Sequence, residues 1–288
     1  MGEVAYINGK LIPLSEAKIS VYDRGFMYGD GLFETIRIYK KIPFLLEKHL
    51  KRLLSSARIL KMNPPASDEL ESLVDSVLKA NDIFDGVLKI ILTGGIGGRG
   101  LSFSQEHDPT LVLLLTPGVP YTEEMYQKGF SAVSIPEGRS LGYLKSLSFL
   151  PNVMAKSYAD SQKAQEAFFL SNGCITEGTM SNVFMVNDRK LATPSLENKI
   201  LPGITREQVL ELADQLGIGY YEGNLLREDM ARADEVFITN SIIELMPIVR
   251  LDEAQVGEGR PGEISAILRN KYQESVDEYV ENMTRDAR

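Results

Sequence analysis

Short apolar runs of strand length, cut by turn signals and interleaved with a few amphipathic stretches, constrain this chain more than any other feature. Residues 4–7 and 10–13 flank Asn8-Gly9, a dipeptide that supplies the positive φ of a type I′ hairpin turn. Residues 32–39 read as a strand, and Lys40-Lys41 turns it into residues 42–45. Leu46, Leu50, Leu53, Leu54, Ala57 and Leu60 then recur at helical spacing until Asn63-Pro64-Pro65 stops them. Ser67 predicts the N-cap of a second helix carrying Leu70, Leu73, Val74, Val77 and Leu78. Residues 87–93 and 110–116 are further strand-length runs on either side of a glycine-rich stretch.

The second half alternates strands and turns in the same way. Strands are expected at 130–135, 167–170, 174–176, 182–186 and 190–193, with Asn172-Gly173 and Asn187-Asp188 as turn signals. Residues 205–216 read as a helix ended by Gly217, residues 235–239 as a strand, and the tail as a long amphipathic helix through Ile264, Leu268, Tyr272, Val276 and Tyr279. Strands clustered ahead of helices predict an α+β fold in two parts: residues 1–117 as a small N-terminal domain, 118–122 as a linker, and 123–288 as a larger C-terminal domain.

Charge and composition narrow the chemistry. Lys and Arg number 31 and Asp and Glu 40, a net charge of 31 − 40 = −9, which disfavours a broad nucleic-acid-binding face. One Cys forms no internal disulfide and no multi-Cys zinc site, and two His leave little room for a His-based triad or a His-rich metal site. No run of 18 apolar residues is present, and the N-terminus lacks a signal peptide's layout, so a soluble cytoplasmic protein is expected. No Rossmann fingerprint or Walker loop occurs.

Four features could carry chemistry. Lys145 is the only charged residue between Ser140 and Ala155; a desolvated lysine is a nucleophile able to form a Schiff base, and an ordinary lysine there would snorkel to the surface. Glu177, between Thr176 and Gly178-Thr179-Met180-Ser181-Asn182, suits a site for a cationic ring nitrogen, or an exposed turn. Gly203-Ile204-Thr205 offers free N–H groups to an anion at a helix start, or caps that helix in the ordinary way. Arg52 could clamp a phosphate or lie solvated on its helix.

Taken in order, these segments resemble the class IV aminotransferases, pyridoxal-phosphate enzymes of fold type IV. The resemblance rests on Tyr28-Gly29-Asp30-Gly31-Leu32-Phe33-Glu34, His49-Leu50-Lys51-Arg52-Leu53, Lys145-Ser146, Thr176-Glu177-Gly178 with Ser181-Asn182-Val183-Phe184, Gly203-Ile204-Thr205-Arg206, and Ala233-Asp234-Glu235-Val236-Phe237 with Met246-Pro247. It implies a small and a large domain with the cofactor between them, and usually a homodimer. It implies further that Lys145 forms the Schiff base with pyridoxal 5′-phosphate and carries the proton between Cα and C4′. Glu177 would pair with the pyridine nitrogen, Leu201 would pack on the ring, and Arg52, Ile204, Thr205 and Ser241 would hold the phosphate.

Three subgroups of that family compete. Phe149-Leu150 and Thr35 depart from the branched-chain aminotransferase pattern. The stretch 145–150 and Arg99 resemble the D-amino acid aminotransferases, although Leu101 stands where those enzymes have a His and Phe33 where they have a Tyr. Residues 87–91, 97–102 and Thr239-Asn240-Ser241 resemble the 4-amino-4-deoxychorismate lyases, but Leu111 occupies the place of an expected Arg. The substrate-binding residues implied are Tyr28, Phe33, Arg99 and Asn240. The expected activity is transfer of an amino group between a D- or branched-chain amino acid and a 2-oxo acid; the lyase, a non-catalytic binder with this fold, and an acidic interaction module built on the last helix are the alternatives.

Overall fold

The computed structural model describes residues 3–97, 100–102, 108–136 and 141–286. The chain divides into two compact units, one made of Met1–Val119, Leu144–Phe149 and Glu278–Arg288, the other of Pro120–Tyr143 and Leu150–Asp277. Together they carry mixed helices and sheets, the α+β class expected.

The first unit runs β1 (Val4–Ile7), β2 (Lys10–Pro13), α1 (Arg24–Tyr28), β3 (Gly31–Tyr39), β4 (Ile42–Pro43), α2 (Leu46–Ile59), α3 (Ser67–Asn81), β5 (Gly86–Thr93) and β6 (Thr110–Pro117). Its strands form one antiparallel sheet in the order β2-β1-β6-β5-β3-β4. The β1–β2 and β3–β4 turns are tight because Asn8-Gly9 and Lys40-Lys41 each hold two successive positive φ angles. Side chains alternate across a strand, so Leu32, Ile36 and Ile38 of β3 join Leu88, Ile90 and Leu92 of β5 on one face. That face packs on Leu50, Leu53 and Ala57 of α2 and Leu70, Val74 and Val77 of α3. Ser67 is not the N-cap of α3: Ala66 holds that position without a side-chain bond, and the Ser67 hydroxyl donates to Glu71 inside the helix.

Residues 144–149 belong with the first unit because they extend the β3 edge beyond the reach of β4. The Phe33 N–H donates to the carbonyl of Lys145 at 2.9 Å, the Leu147 N–H donates to the carbonyl of Gly31 at 2.9 Å, and Leu32 bridges Ser146. A cut at 118–122 therefore does not gather all of this unit: the segment around Lys145 contributes to it from later in the chain.

The second unit contains α4 (Glu123–Lys128), β7 (Phe130–Ile135), α5 (Leu150–Ser161), β8 (Glu166–Ser171), β9 (Cys174–Gly178), β10 (Asn182–Asn187), β11 (Lys190–Pro194), α6 (Ile204–Gln215), β12 (Tyr220–Gly223), β13 (Leu225–Leu226), α7 (Arg227–Ala231), β14 (Glu235–Asn240), β15 (Glu244–Leu251) and β16 (Ala254–Gln255). The last helix, α8 (Glu263–Asp286), begins here, and its residues from Glu278 group with the first unit. The sheet is mixed, ordered β12-β11-β10-β14-β15-β7-β8-β9-β13 with β16 on β15. On one face Val183, Met185, Val236, Ile238, Met246 and Ile248 form the core; on the other Phe184 and Phe237 stack with centroids 4.9 Å apart. Among the described residues no helix is long and apolar enough to cross a membrane.

Candidate active site

Two groups of candidate residues take shape, one in each unit. In the first, Glu34 occupies a β3 position between Leu32 and Ile36, on the face that the alternation turns toward α2. A carboxylate buried among aliphatic side chains is costly unless it is paired. Glu34 is 1 % exposed, and α2 supplies its partners. Arg52 donates through Nε to Oε1 at 2.8 Å and through Nη2 to Oε2 at 2.6 Å, while His49 Nδ1 lies 2.7 Å from Oε2. His49 and Arg52 stand one helical turn apart, so both reach the same carboxylate. Burial raises the Glu34 pKa, but the Arg52 charge and the bonds from Arg52 and His49 outweigh it and hold the carboxyl at about 2. Burial pushes the His49 pKa down from 6.5, with the Arg52 and Lys145 charges adding to it against Glu34. An ionised carboxylate only accepts, so neutral His49 carries its proton on Nδ1.

The opposite face of β3 carries Phe33. Its ring sits edge-on to Phe149, with centroids 5.3 Å apart, and two ammonium groups approach it: Lys145 Nζ at 4.6 Å and Lys89 Nζ at 5.4 Å from the centroid. Lys89 comes from β5, where it pairs with Thr35. Tyr28 ends α1 with the Arg24 guanidinium 5.3 Å from its ring centroid, and Arg24 is itself paired with Asp30 at 2.6 Å. Arg99 lies outside the described residues.

In the second unit, buried Glu177 lies on β9, its Oε2 accepting the N–H of Leu201 at 3.1 Å. Asn182 Nδ2 donates to the Leu201 carbonyl at 2.9 Å, and a Cβ on Gly203 would collide with Asn182 Oδ1, so a larger residue there would have to displace the Asn182 side chain. Gly203 caps α6 without a side-chain bond, and Ile204 and Thr205 supply the first-turn amides. On β14, Thr239 stands across from Asn182 with its hydroxyl buried and, among the described residues, without a hydrogen-bond partner. Asn240 uses Oδ1 to accept the N–H groups of Ile242 and Ile243, each at 2.8 Å, and so closes the turn that contains Ser241. Glu166 braces the segment after Glu177: Oε1 accepts the N–H of Ala167 and both the N–H and the hydroxyl of Thr179, and Oε2 accepts the Ser181 hydroxyl at 2.8 Å.

The chain as a whole has relatives among known proteins. A family model described as "Amino-transferase class IV" matches residues 31–251. The chain belongs to the class IV amino-transferase family. The D-alanine aminotransferase of Bacillus licheniformis is 34 % identical over 271 residues, covering 93 % of this chain and 95 % of that one. The aminodeoxychorismate lyase of Bacillus subtilis (strain 168) is 33 % identical over 279 residues and 94 % of each chain. The branched-chain amino acid aminotransferase of Escherichia coli superposes with a TM-score of 0.89 at 29 % identity, covering 95 % of this chain and 94 % of that one.

This class IV family member is thus an enzyme of the fold-type IV architecture. Sequence reasoning named Arg52, Lys145 and Glu177 but gave no role to Glu34, His49, Lys89, Glu166 or Asn182. For Glu34 and His49 a signal was present: an acidic residue at an apolar position of a strand, and a histidine on the inward face of the following helix, both ask for partners. Nothing in the local sequence signalled that Glu166 would meet residues 179 and 181.

Proposed function

We propose that the chain is a pyridoxal 5′-phosphate-dependent aminotransferase that moves an amino group between an amino acid and a 2-oxo acid, with Lys145 as its catalytic residue. The observation that carries this reading is the clamping of Lys145: its own carbonyl and the N–H of Leu147 two residues on are bonded to β3, and its amine stands over Phe33. The donor set suits the cofactor. The α6 N-terminus and an orphaned hydroxyl on Thr239 suit an anion, and buried Glu177 suits a protonated ring nitrogen.

Bound, the pyridoxal group supplies the electron sink that stabilises negative charge at the substrate Cα. Lys145 Nζ anchors that group and then holds the proton taken from the substrate Cα. Glu177 keeps the ring nitrogen protonated, and Leu201 packs on the ring. Arg52, Ser241 and the amides of Ile204 and Thr205 hold the phosphate. Phe33, Tyr28, Arg99 and Asn240 contact substrate, and Lys89, a second cation beside Phe33, attracts its carboxylate. We take the enzyme to be a cytoplasmic homodimer; exposed Val21, Tyr22 and Phe26 give it an apolar surface to cover.

The D- or branched-chain donor is assigned by two trials on yellow holoenzyme. D-alanine or L-leucine should bleach the visible absorption, and retention with both, together with pyruvate released from aminodeoxychorismate, would establish the lyase. That second reading is favoured by the 33 % identity to the Bacillus subtilis lyase. Lys145→Ala should lose both the visible absorption and multiple turnover. Unchanged turnover in that variant would remove Lys145 from the mechanism.

A further inference from the structure

We propose that Glu34 is a positioning residue for Arg52: its carboxylate, steadied by His49, grips the guanidinium edge-on and aims it at the cofactor phosphate. This rests on the reading of Arg52 given above. The grip is bidentate, through Nε and Nη2, and two bonds to one carboxylate fix the guanidinium plane as one bond does not. Arginine side chains otherwise sample many rotamers, and that freedom is lost on binding an anion.

Glu34 is suited to the task by its own rigidity. It projects from the middle of a strand paired along its length with β5, and Nδ1 of His49, itself 2 % exposed, occupies Oε2 alongside Arg52. A carboxylate at this core-facing position displaces an aliphatic side chain that Leu32 and Ile36 would readily pack against. Stability alone does not call for it, since buried ion pairs are often no better than well-packed apolar replacements. Orientation of a phosphate-binding side chain does.

The test compares equilibrium affinities of the full-length protein for pyridoxal 5′-phosphate and for pyridoxal, which lacks the phosphate. The readout is the ratio of the two affinities. Arg52→Ala should lower the ratio by about 10–100-fold, the scale of a charged hydrogen-bonded contact. Glu34→Gln should lower it by about ten-fold, as loss of an outer partner does at metal sites, with pyridoxal binding unchanged. Combining the two substitutions should do no more than Arg52→Ala alone. If Glu34→Gln does not fold, Glu34→Asp keeps the charge at a shorter reach and should give an intermediate ratio.

An unchanged ratio in Glu34→Gln, with Arg52→Ala still lowering it, overturns the positioning role and leaves Arg52 on the phosphate. Equal losses for both ligands in Glu34→Gln also overturn it, because a merely structural carboxylate would act on the whole site. No change of ratio in Arg52→Ala overturns the phosphate reading itself, and the proposal with it.

Discussion

Glu34 in the first unit and Glu166 in the second are both carboxylates buried on sheet strands, yet they are satisfied in opposite ways. Glu34 is met by a guanidinium and an imidazole from the neighbouring helix. Glu166 is met by two backbone amides and two hydroxyls, all neutral, three of them from residues 179 and 181. The contrast separates two uses of a buried negative charge. With cations, the carboxylate is locked in its ionised form and orients mobile side chains; with amides and hydroxyls, it shapes backbone, here the segment that follows Glu177. Pairing with charged partners couples Glu34 to pH, and hydrogen bonding to neutral donors couples Glu166 to loop geometry.

The sharpest way to break the contrast is to strip the charge from the first unit. Glu34→Ala should destabilise the protein by about 3–5 kcal/mol, because Arg52 keeps a largely buried charge that has lost this carboxylate; denaturant unfolding measures it. The same pair predicts an acid response. The Glu34 carboxyl sits at about 2 when folded against an ordinary 4.5, so its contribution is whole above pH 4.5 and drains away as pH falls toward 2. That contribution is on the order of 3 kcal/mol. His49, its pKa pushed below 6.5 by burial, acts in the same direction, since the unfolded ring takes up a proton first as pH falls below 6.5. Stability measured across this range should decline with acid in the wild type, and Glu34→Gln should flatten the part below pH 4.5.

A smaller effect is expected from Glu166→Gln. The amide turns its NH2 toward a donor that the carboxylate had accepted, costing about 1–3 kcal/mol. It should also disturb the segment from Gly178 to Ser181, read as faster amide exchange at Thr179. Equal losses in Glu34→Gln and Glu166→Gln, with the same pH profile, would erase the distinction between the two carboxylates. The smallest effect belongs to Asn240→Ala, which strands two turn amides near the surface at about 1 kcal/mol. A much greater loss of substrate affinity than of stability in that variant would mark Asn240 as a binding residue as well as a turn former.

Much of the fold was legible because it rests on local rules. Asn8-Gly9 and Asn172-Gly173 sit at the paired positive φ angles that their type predicts. The helical spacing from Leu46 onward gives α2, and Leu50 and Leu53 do face the sheet. Asn187-Asp188 was nearly right: the positive φ angles fall on Asp188 and Arg189, one residue later, because β10 runs through Asn187. Elements whose cues are weak escaped. β15 pairs with β14 from Glu244 onward but opens with a charged residue and contains Pro247, and α5 presents Leu150, Val153 and Met154 to solvent, so neither shows a clean amphipathic period.

The sequence by itself determined most of the strand and helix inventory, the Asn-Gly turns, and, through motifs recurring in order, the family. Those properties depend on neighbours a few residues away, where steric and hydrogen-bonding rules act without knowledge of the rest of the chain. Only the tertiary structure decided that Lys145 is bonded to a strand more than a hundred residues earlier, that Arg52 is gripped by Glu34, and that Glu166 reaches across to Thr179 and Ser181. Each of those contacts satisfies a buried polar or charged group. The need for a partner can be read from one position in the sequence, but the partner's identity is set by which strand edge or helix face packing brings within reach of a hydrogen bond.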